Sequence, residues 1–373
     1  IARGSIKAFD LAAASAVPGV IDIITHENRP KLRSFDIHYK DMTAPPGSPF
    51  RPLYDASISF SGQPVALVLA DTFEAARHAA ALVGVHYKSD AHATDFCAAL
   101  PAARKPKGLK LGATPPPPEK GNVEKAYAAA PVKVDAAFHH GVEHHNPMEL
   151  FGATVVYGDD GHLTIYDKTQ SSQNSRWYVS RVFGLPKSRV TVRNPYVGGA
   201  FGSGLRPQYS LTLAVMASLH LKRSVRVMLT RQQCFAFGHR PETLHRVRLA
   251  AEQDGTLRAI AHHAHSATSR FEDFVEVVVN WSGQSYACDN IKLSHEVVAL
   301  DIHTPMDMRA PGAATGVHAL EVAMDELAWA LRMVSVNWPR DAASNAPRSE
   351  ASGIEMRTGA GRCWAHALPP VND

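Results

Sequence analysis

The segment Asn194-Pro-Tyr-Val-Gly-Gly-Ala-Phe-Gly-Ser-Gly204 is a glycine-dense loop between an apolar strand pattern and an apolar helix pattern. Glycines admit positive φ and bring bare N–H groups close to a ligand, so such a loop suits an anion. Phe201 in its midst fits a nucleotide triphosphate poorly and favours something flat or sulfur-rich. Two phosphate motifs fail. A Walker A loop needs GxxxxGK[ST], and Gly199 to Gly204 has the glycine spacing, but Leu205 follows where the phosphate-binding lysine belongs. The dinucleotide fingerprint GxGxxG needs an acid further along, whereas the order here is GGxxGxG and no suitable acid follows. Taken alone, the loop is equally a turn that lets a strand and a helix pack closely.

Three other segments carry chemistry-bearing residues. His139-His140-Gly-Val-Glu-His144-His145-Asn-Pro-Met-Glu149 has the composition of a metal cluster but not its spacing. Adjacent histidines on a strand point to opposite faces, no HExxH helix is present, and Pro147 interrupts any helix that would align ligands. It reads as a buried polar turn beside a site, with Asn146 and Glu149 holding backbone or a neighbouring loop, and no residue of the chain is assigned to a metal. Thr169-Gln170 closes a strand, where a side-chain amide donates one hydrogen bond and accepts another; the plainer reading is a helix-entry loop rich in capping residues. Met306 to Gly312 places Arg309 among small residues ahead of a helix, which suits anion or carbonyl contact, or simply exposes an arginine to solvent.

The elements that must position these residues give a mixed α+β chain. Over Ile1 to Lys88, strand and helix patterns alternate: Ser5 to Phe9 extended, a helix after Asp10, Gly19 to Thr25 extended, Pro64 to Leu69 extended, a capping box over Asp71 to Glu74 and an alanine-rich helix behind it. Residues 101–121 form a Pro-rich interdomain linker, since Pro115 to Pro118 favours polyproline geometry. A second domain over 122–332 is expected to hold strands at Val132 to His140, Gly152 to Tyr157, His162 to Asp167, Arg189 to Arg193 and Ser224 to Leu229. Helices are expected at Val123 to Ala130, Trp177 to Phe183, Tyr209 to Leu221 and Val317 to Leu331, and a hairpin over Val247 to Ile260 around Asp254-Gly255. Glu321, Asp325 and Glu326 read as a solvated helix face. Residues 333–373 lose all periodicity and form a divergent tail.

At 373 residues, two or three domains are the default expectation. The net charge of +4 is too small over this length to point to nucleic acid. Cys97, Cys234, Cys288 and Cys363 lie far apart without a CxxC pair, which argues against an iron–sulfur cluster or a disulfide framework in this chain. No run of about 18 apolar residues occurs, so no membrane span is expected. A cytoplasmic setting is expected, with a periplasmic one left open.

Taken together, these segments resemble the molybdenum-cofactor-binding large subunit of the xanthine dehydrogenase and aldehyde oxidoreductase family. Val197-Gly-Gly-Ala-Phe-Gly-Ser-Gly204 is similar to the family's GGGFGGK loop, Lys168-Thr-Gln170 to its STQ segment, and Met308-Arg-Ala-Pro-Gly312 to its FRGFGG loop. His144-His-Asn-Pro-Met-Glu149 resembles a segment of bacterial members. The first 100 residues are similar to the family's small α/β hammerhead domain, and residues 122–332 to its first molybdopterin-binding domain. The resemblance implies a molybdenum–molybdopterin cofactor contacted by Gly199, Phe201 and Gly202, with Gln170 bonded to the molybdenum oxo group and Arg309 on the pterin side. It implies hydroxylation of an aldehyde or N-heterocycle carbon with water as oxygen source, the electrons leaving through a 2Fe-2S small subunit and an FAD subunit. Leu205 stands where purine-using members carry a substrate-binding glutamate, which shifts the expected substrate to aldehydes. The family's general-base glutamate belongs to sequence beyond this chain, so no catalytic residue is assigned, and the chain is expected to be a truncated large subunit inactive alone or a non-catalytic remnant of one.

Overall fold

The computed structural model describes residues 1–30, 50–107 and 114–333. The divergent tail from 334 onward and residues 108–113 of the Pro-rich stretch lie outside the described residues. The chain is a mixture of helices and sheets, as expected. Its first part runs β1 (Gly4–Asp10), α1 (Ala12–Ser15), β2 (Val20–Thr25), β3 (Ser57–Ile58), β4 (Ala66–Ala70), α2 (Phe73–Leu82) and β5 (Gly84–Ser89). These strands make two antiparallel sheets, β3-β1-β5 and β2-β4. The α2 cap is Thr72, whose side chain accepts from the Ala75 amide, and not Asp71 as the acidic pattern suggested. At α1 the Asp10 carboxylate takes the Ala12 amide at 3.3 Å from one position outside the helix boundary. Phe60, fully buried, sits edge-on to His303 with ring centroids 5.0 Å apart, so the core of the first domain runs directly into that of the second.

After α3 (Phe96–Ala99), the Pro-rich stretch is anchored at both ends of a strand described below: Arg104 pairs with Val297 and Lys120 with Ile291. The second part comprises α4 (Val123–Ala129), β6 (Val132–His140), β7 (Glu143–His144), β8 (Gly152–Tyr157), β9 (Leu163–Asp167), α5 (Ser172–Phe183), β10 (Val190–Arg193) and α6 (Tyr209–Leu221). There follow β11 (Val225–Met228), α7 (Arg231–Cys234), β12 (His239–Arg240), β13 (Thr243–Ala251), β14 (Leu257–Ser269), α8 (Ser282–Ser285), β15 (Ile291–Leu300) and α9 (Ala313–Ala330). One sheet has the order β10-β9-β8-β11, with β9 and β10 parallel around the crossover helix α5. Every residue of α6 from Tyr209 to Ser218 is buried, which makes it the central helix of the main core.

The second sheet, β15-β14-β13-β6, packs α9 against one face and the short helices α3 and α4 against the other. Its inward positions are unusually polar. His245 Nδ1 lies 2.8 Å from His262 Nε2, and His262 Nδ1 lies 2.7 Å from Ser282 Oγ. His295 Nε2 meets Ser266 Oγ at 2.8 Å, and His140 Nε2 meets His318 Nδ1 of α9 at 3.0 Å. These residues explain three departures from the sequence pattern. The hairpin expected from Val247 starts at Thr243, its second strand continues past Ile260 to Ser269, and β15 has no counterpart in the apolar pattern at all. In each case histidine or hydroxyl side chains occupy the core-facing positions. Glu321 also departs from the solvated face assigned to it, since its carboxylate accepts from the Tyr286 hydroxyl at 2.9 Å.

No helix among the described residues is long and apolar enough to cross a membrane.

Burial holds His140 down at about 4 and His239, His262, His295 and His303 at about 3, with His245 well below its ordinary value. These rings are neutral in the fold and gain a proton only on unfolding. Their stabilising effect is therefore fully present above an unfolded histidine pKa of about 6.5 and is lost as pH falls from there towards the folded values. Each can remove up to about 1.4 kcal/mol per pH unit in that window. Urea denaturation at pH 7.5 and 5.5 should show a midpoint lower by on the order of 1 M or more at the acidic value; an unchanged midpoint would mean the rings are not buried neutral.

Candidate functional site

The glycine loop connects β10 to α6 and is gripped from three sides. At the end of β9, the Gln170 amide N–H donates to the Gly204 carbonyl at 2.9 Å, and Gln170 Oε1 accepts from both the Gly202 and Gly204 amides at 3.1 Å. Two backbone N–H donors at that oxygen fix which end of the amide is which, because a flipped NH2 would face donors. The Gln170 NH2 is left on the exposed side of the loop. From the histidine-rich segment, Glu149 Oε2 accepts from the Gly198 amide at 2.8 Å while its own N–H donates to the Gly198 carbonyl at 3.0 Å. Asn146 Oδ1 accepts from Arg231 at 2.9 Å. Both side chains thus hold backbone and neighbouring loops, as their setting in the sequence indicated.

The third side is the segment 306–312. The Arg309 amide donates to the Phe201 carbonyl at 2.8 Å. Gly202 has φ +108, and a Cβ there would sit 2.2 Å from the Asp307 carbonyl oxygen, so no other residue fits without moving one of the two loops. Gly199, at φ +91, lies against the Phe201 ring. Of the six non-glycine residues with positive φ among the described residues, Asn146, Phe201 and Ala310 belong to these three loops. Each such residue stores about 1–3 kcal/mol of backbone strain, which the surrounding contacts must offset. Strain concentrated in this way is common where loops are held for a ligand.

Two buried cations lock the outer loop. Arg240 on β12, with its side chain 4% exposed, donates to Glu143 Oε2 at 2.7 Å and to the Arg309 carbonyl at 2.8 Å, and lies 3.7 Å from Glu276. Glu276 in turn accepts from the Gly312 amide at 3.0 Å, and burial pushes its carboxyl up to about 7. Arg206, just after the glycine loop, pairs with Glu272 at 3.1 Å and approaches Asp307 at 3.8 Å. His145 lies between two carbonyls, 2.8 Å from that of Asp307 and 3.1 Å from that of Gly238. Burial lowers its pKa, so the neutral ring donates to one of them, and the shorter contact favours Asp307. Arg240, Glu143 and Glu276 were not singled out from the sequence. Their partners are remote in the chain, and the two-residue pairing of β7 with β12 is too short to leave a periodic signal.

Gln170, Gly199, Phe201, Gly202 and the Arg309 backbone therefore come together, with the Arg309 side chain exposed beside them. The amides of Gly199, Ala200 and Phe201 meet no acceptor among the described residues. Around them stand large apolar side chains in the open: Met148 and Tyr196 are 90% and 88% exposed, and Val197, Phe201 and Leu205 are exposed too. A wall of unpaired amides, an outward carboxamide NH2, a half-exposed aromatic ring and a nearby guanidinium fits a flat, anionic cofactor with oxygen acceptors. Patches of this kind mark surfaces covered by a ligand or by further protein.

Residues 113–340 match the family model of the molybdopterin cofactor-binding domain, and residues 1–91 match that of the aldehyde oxidase and xanthine dehydrogenase a/b hammerhead domain. The aldehyde oxidoreductase molybdenum-binding subunit PaoC of Escherichia coli is 33% identical over 329 residues, spanning 88% of this chain and 43% of that protein. The chain thus spans under half the length of this relative. The solved aldehyde oxidoreductase of Desulfovibrio gigas superposes with a TM-score of 0.73 at 25% identity, covering 91% of this chain and 38% of the other. The carbon monoxide dehydrogenase of Oligotropha carboxidovorans gives 0.76 at 25% identity, with 91% and 45% coverage.

Replacing Arg240 by Met should strand the buried Glu276 carboxylate and the Arg309 and Ala310 carbonyls at once. The expected loss of folding stability is about 3–5 kcal/mol by urea denaturation; a variant within experimental error of the parent would show that Arg240 does not hold the 309–312 loop.

Proposed function

Because the chain belongs to the aldehyde oxidase and xanthine dehydrogenase family and carries its molybdopterin-binding domain, we propose that the glycine loop is one wall of the molybdenum cofactor site in a large subunit oxidising an aldehyde or N-heterocycle. The observation that carries this reading is the double acceptance by Gln170 Oε1 from the Gly202 and Gly204 amides, 3.1 Å each. When bound, the cofactor supplies the redox chemistry of carbon hydroxylation with water as the oxygen source. The chain's own part is to bind and orient. Gln170 presents a fixed NH2 to an oxygen acceptor, preorganised by the backbone so that little rotamer freedom is lost on binding. Gly199 and Gly202 let the loop approach the cofactor closely, Phe201 covers a flat face, and Arg309 offers its planar guanidinium to an anionic group on the pterin side.

Leu205 is exposed at the end of the loop. An apolar side chain there offers a purine no charged or hydrogen-bonding partner, whereas it packs against the hydrocarbon of an aldehyde. An aldehyde is therefore the favoured substrate. The electrons would leave through a 2Fe-2S small subunit and an FAD subunit, as the multi-subunit organisation implied by a relative named a large chain suggests.

In the assembled enzyme containing this chain, Gln170→Glu removes the NH2 while keeping an oxygen to accept from the Gly202 and Gly204 amides that hold the loop. It should lower kcat for an aromatic aldehyde by about 100-fold without loss of bound molybdenum or pterin, and the parent should turn over the aldehyde far better than hypoxanthine. A Gln170→Glu enzyme with parental kcat, or a preference for hypoxanthine, would remove the basis of the reading.

A further inference from the structure

On the face of the second sheet opposite α9, the strand β14 carries His263 and His265, two residues apart and hence side by side. The neighbouring parallel strand β15 places Ser294 beside His263 and Glu296 beside His265. This part of the face is a window: α4 covers it at Ala259 and Ala261, α3 covers it at Ala267 and Val298, and the histidines lie between. We propose that His263, His265 and Glu296 bind one divalent transition-metal cation of the zinc type, stapling β14 to the edge strand β15.

The distances fit such an ion. His263 Nε2 and His265 Nε2 are 3.2 Å apart, and Glu296 Oε2 lies 3.7 Å from the first and 3.3 Å from the second. Tetrahedral zinc with bonds of about 2.0–2.1 Å sets its ligand atoms about 3.3–3.4 Å apart, so little movement is needed. The tautomer is prepared as well. His263 Nδ1 lies 2.7 Å from Ser294 Oγ, and a hydrogen donated there leaves the Nε2 lone pair facing the cluster. Burial lowers the pKa of both rings, which keeps them in the neutral, ligating form. Without a cation, one Nε2–H of His265 must serve both the other ring and the carboxylate. Side-chain exposures of 36%, 22% and 33% leave the site reachable and a fourth coordination position open to water.

The positive charge of Arg246, paired with His263 across β13, opposes a cation but is engaged bidentately by Asp135 at 2.9 and 2.8 Å. A competing cluster on the chain, Cys97 with His139 and Glu242, is less suited. Its histidine and carboxylate already share a 2.7 Å hydrogen bond, and burial together with Glu242 and Asp95 raises the Cys97 thiol away from the ligating thiolate. Nitrogen ligands also select against magnesium and calcium.

The test is a calorimetric titration of zinc chloride into the chelator-treated full chain near neutral pH, with a thermal melt of each variant in the absence of metal. One ion should bind with micromolar or tighter affinity and raise the melting temperature. His263→Ala and His265→Ala should each weaken binding at least about 100-fold, and Ser294→Ala about 10-fold. His139→Ala should leave binding unchanged, and magnesium should not bind. If either histidine variant fails to fold, Glu296→Gln reads the same site through its carboxylate. Absence of binding tighter than millimolar, zinc affinity unchanged in the variants, or loss of the ion in His139→Ala would each overturn the proposal.

Discussion

The site depends on the contact of two backbones, that of Gly202 and that of Asp307. A Cβ on Gly202 would lie 2.2 Å from the Asp307 carbonyl oxygen, closer than any real contact, so the loops can lie against each other only through glycine. Once they do, the Phe201 carbonyl reaches the Arg309 amide, and the Gly202 amide turns back to Gln170. Phe201 is forced to φ +55 and Ala310 to φ +58 by the same approach. Neither residue prefers that conformation, and the hydrogen bonds and ion pairs around them offset the strain.

Those ion pairs are buried and so could not stabilise the loops by attraction alone. Taking Arg240 and Glu276 out of water costs several kcal/mol for each ion, and a single contact at 3.7 Å does not repay it. Arg240 is tolerable because its remaining donors go to Glu143 and to the Arg309 and Ala310 carbonyls, while Glu276 takes the Gly312 amide. The arrangement therefore acts as a register device, in which one guanidinium specifies where the 309–312 backbone must lie relative to β12. The neutral histidines of the second sheet follow a similar logic, with both nitrogens of His245 and His262 meeting another ring or a hydroxyl, and His295 and His140 each placing one nitrogen against a hydroxyl or a ring.

Much of this was legible in the sequence where apolar periodicity is undisturbed. The helix Tyr209–Leu221 and the strands Val132–His140 and Gly152–Tyr157 stand where the pattern places them. β15 was not, because Leu293, His295 and Val297 face inward with a histidine in the middle, which reads as polar until its ring is seen to be neutral and bonded to Ser266. The loop glycines and Gln170 could be singled out since their chemistry is local. Arg240 and Glu276 could not, since an arginine and a glutamate on short or irregular segments carry no pattern until the fold brings them to the Arg309 and Gly312 backbone. Ala200 in place of a glycine is explained by its backbone, which lies outside the positive-φ positions of the loop.

The functional reading joins these constraints. The fold concentrates unpaired amides, an immobilised carboxamide and exposed apolar side chains along one surface of the chain, the pattern expected of a wall that a large planar cofactor completes. The most direct measurement is an experimental structure of the assembled enzyme with molybdopterin bound. The account predicts the Gln170 NH2 within about 3 Å of an oxygen of the cofactor's metal centre, with Phe201 against it and the Gly202–Asp307 contact unchanged. A cofactor seated elsewhere, or a Gln170 amide turned into the protein, would contradict it.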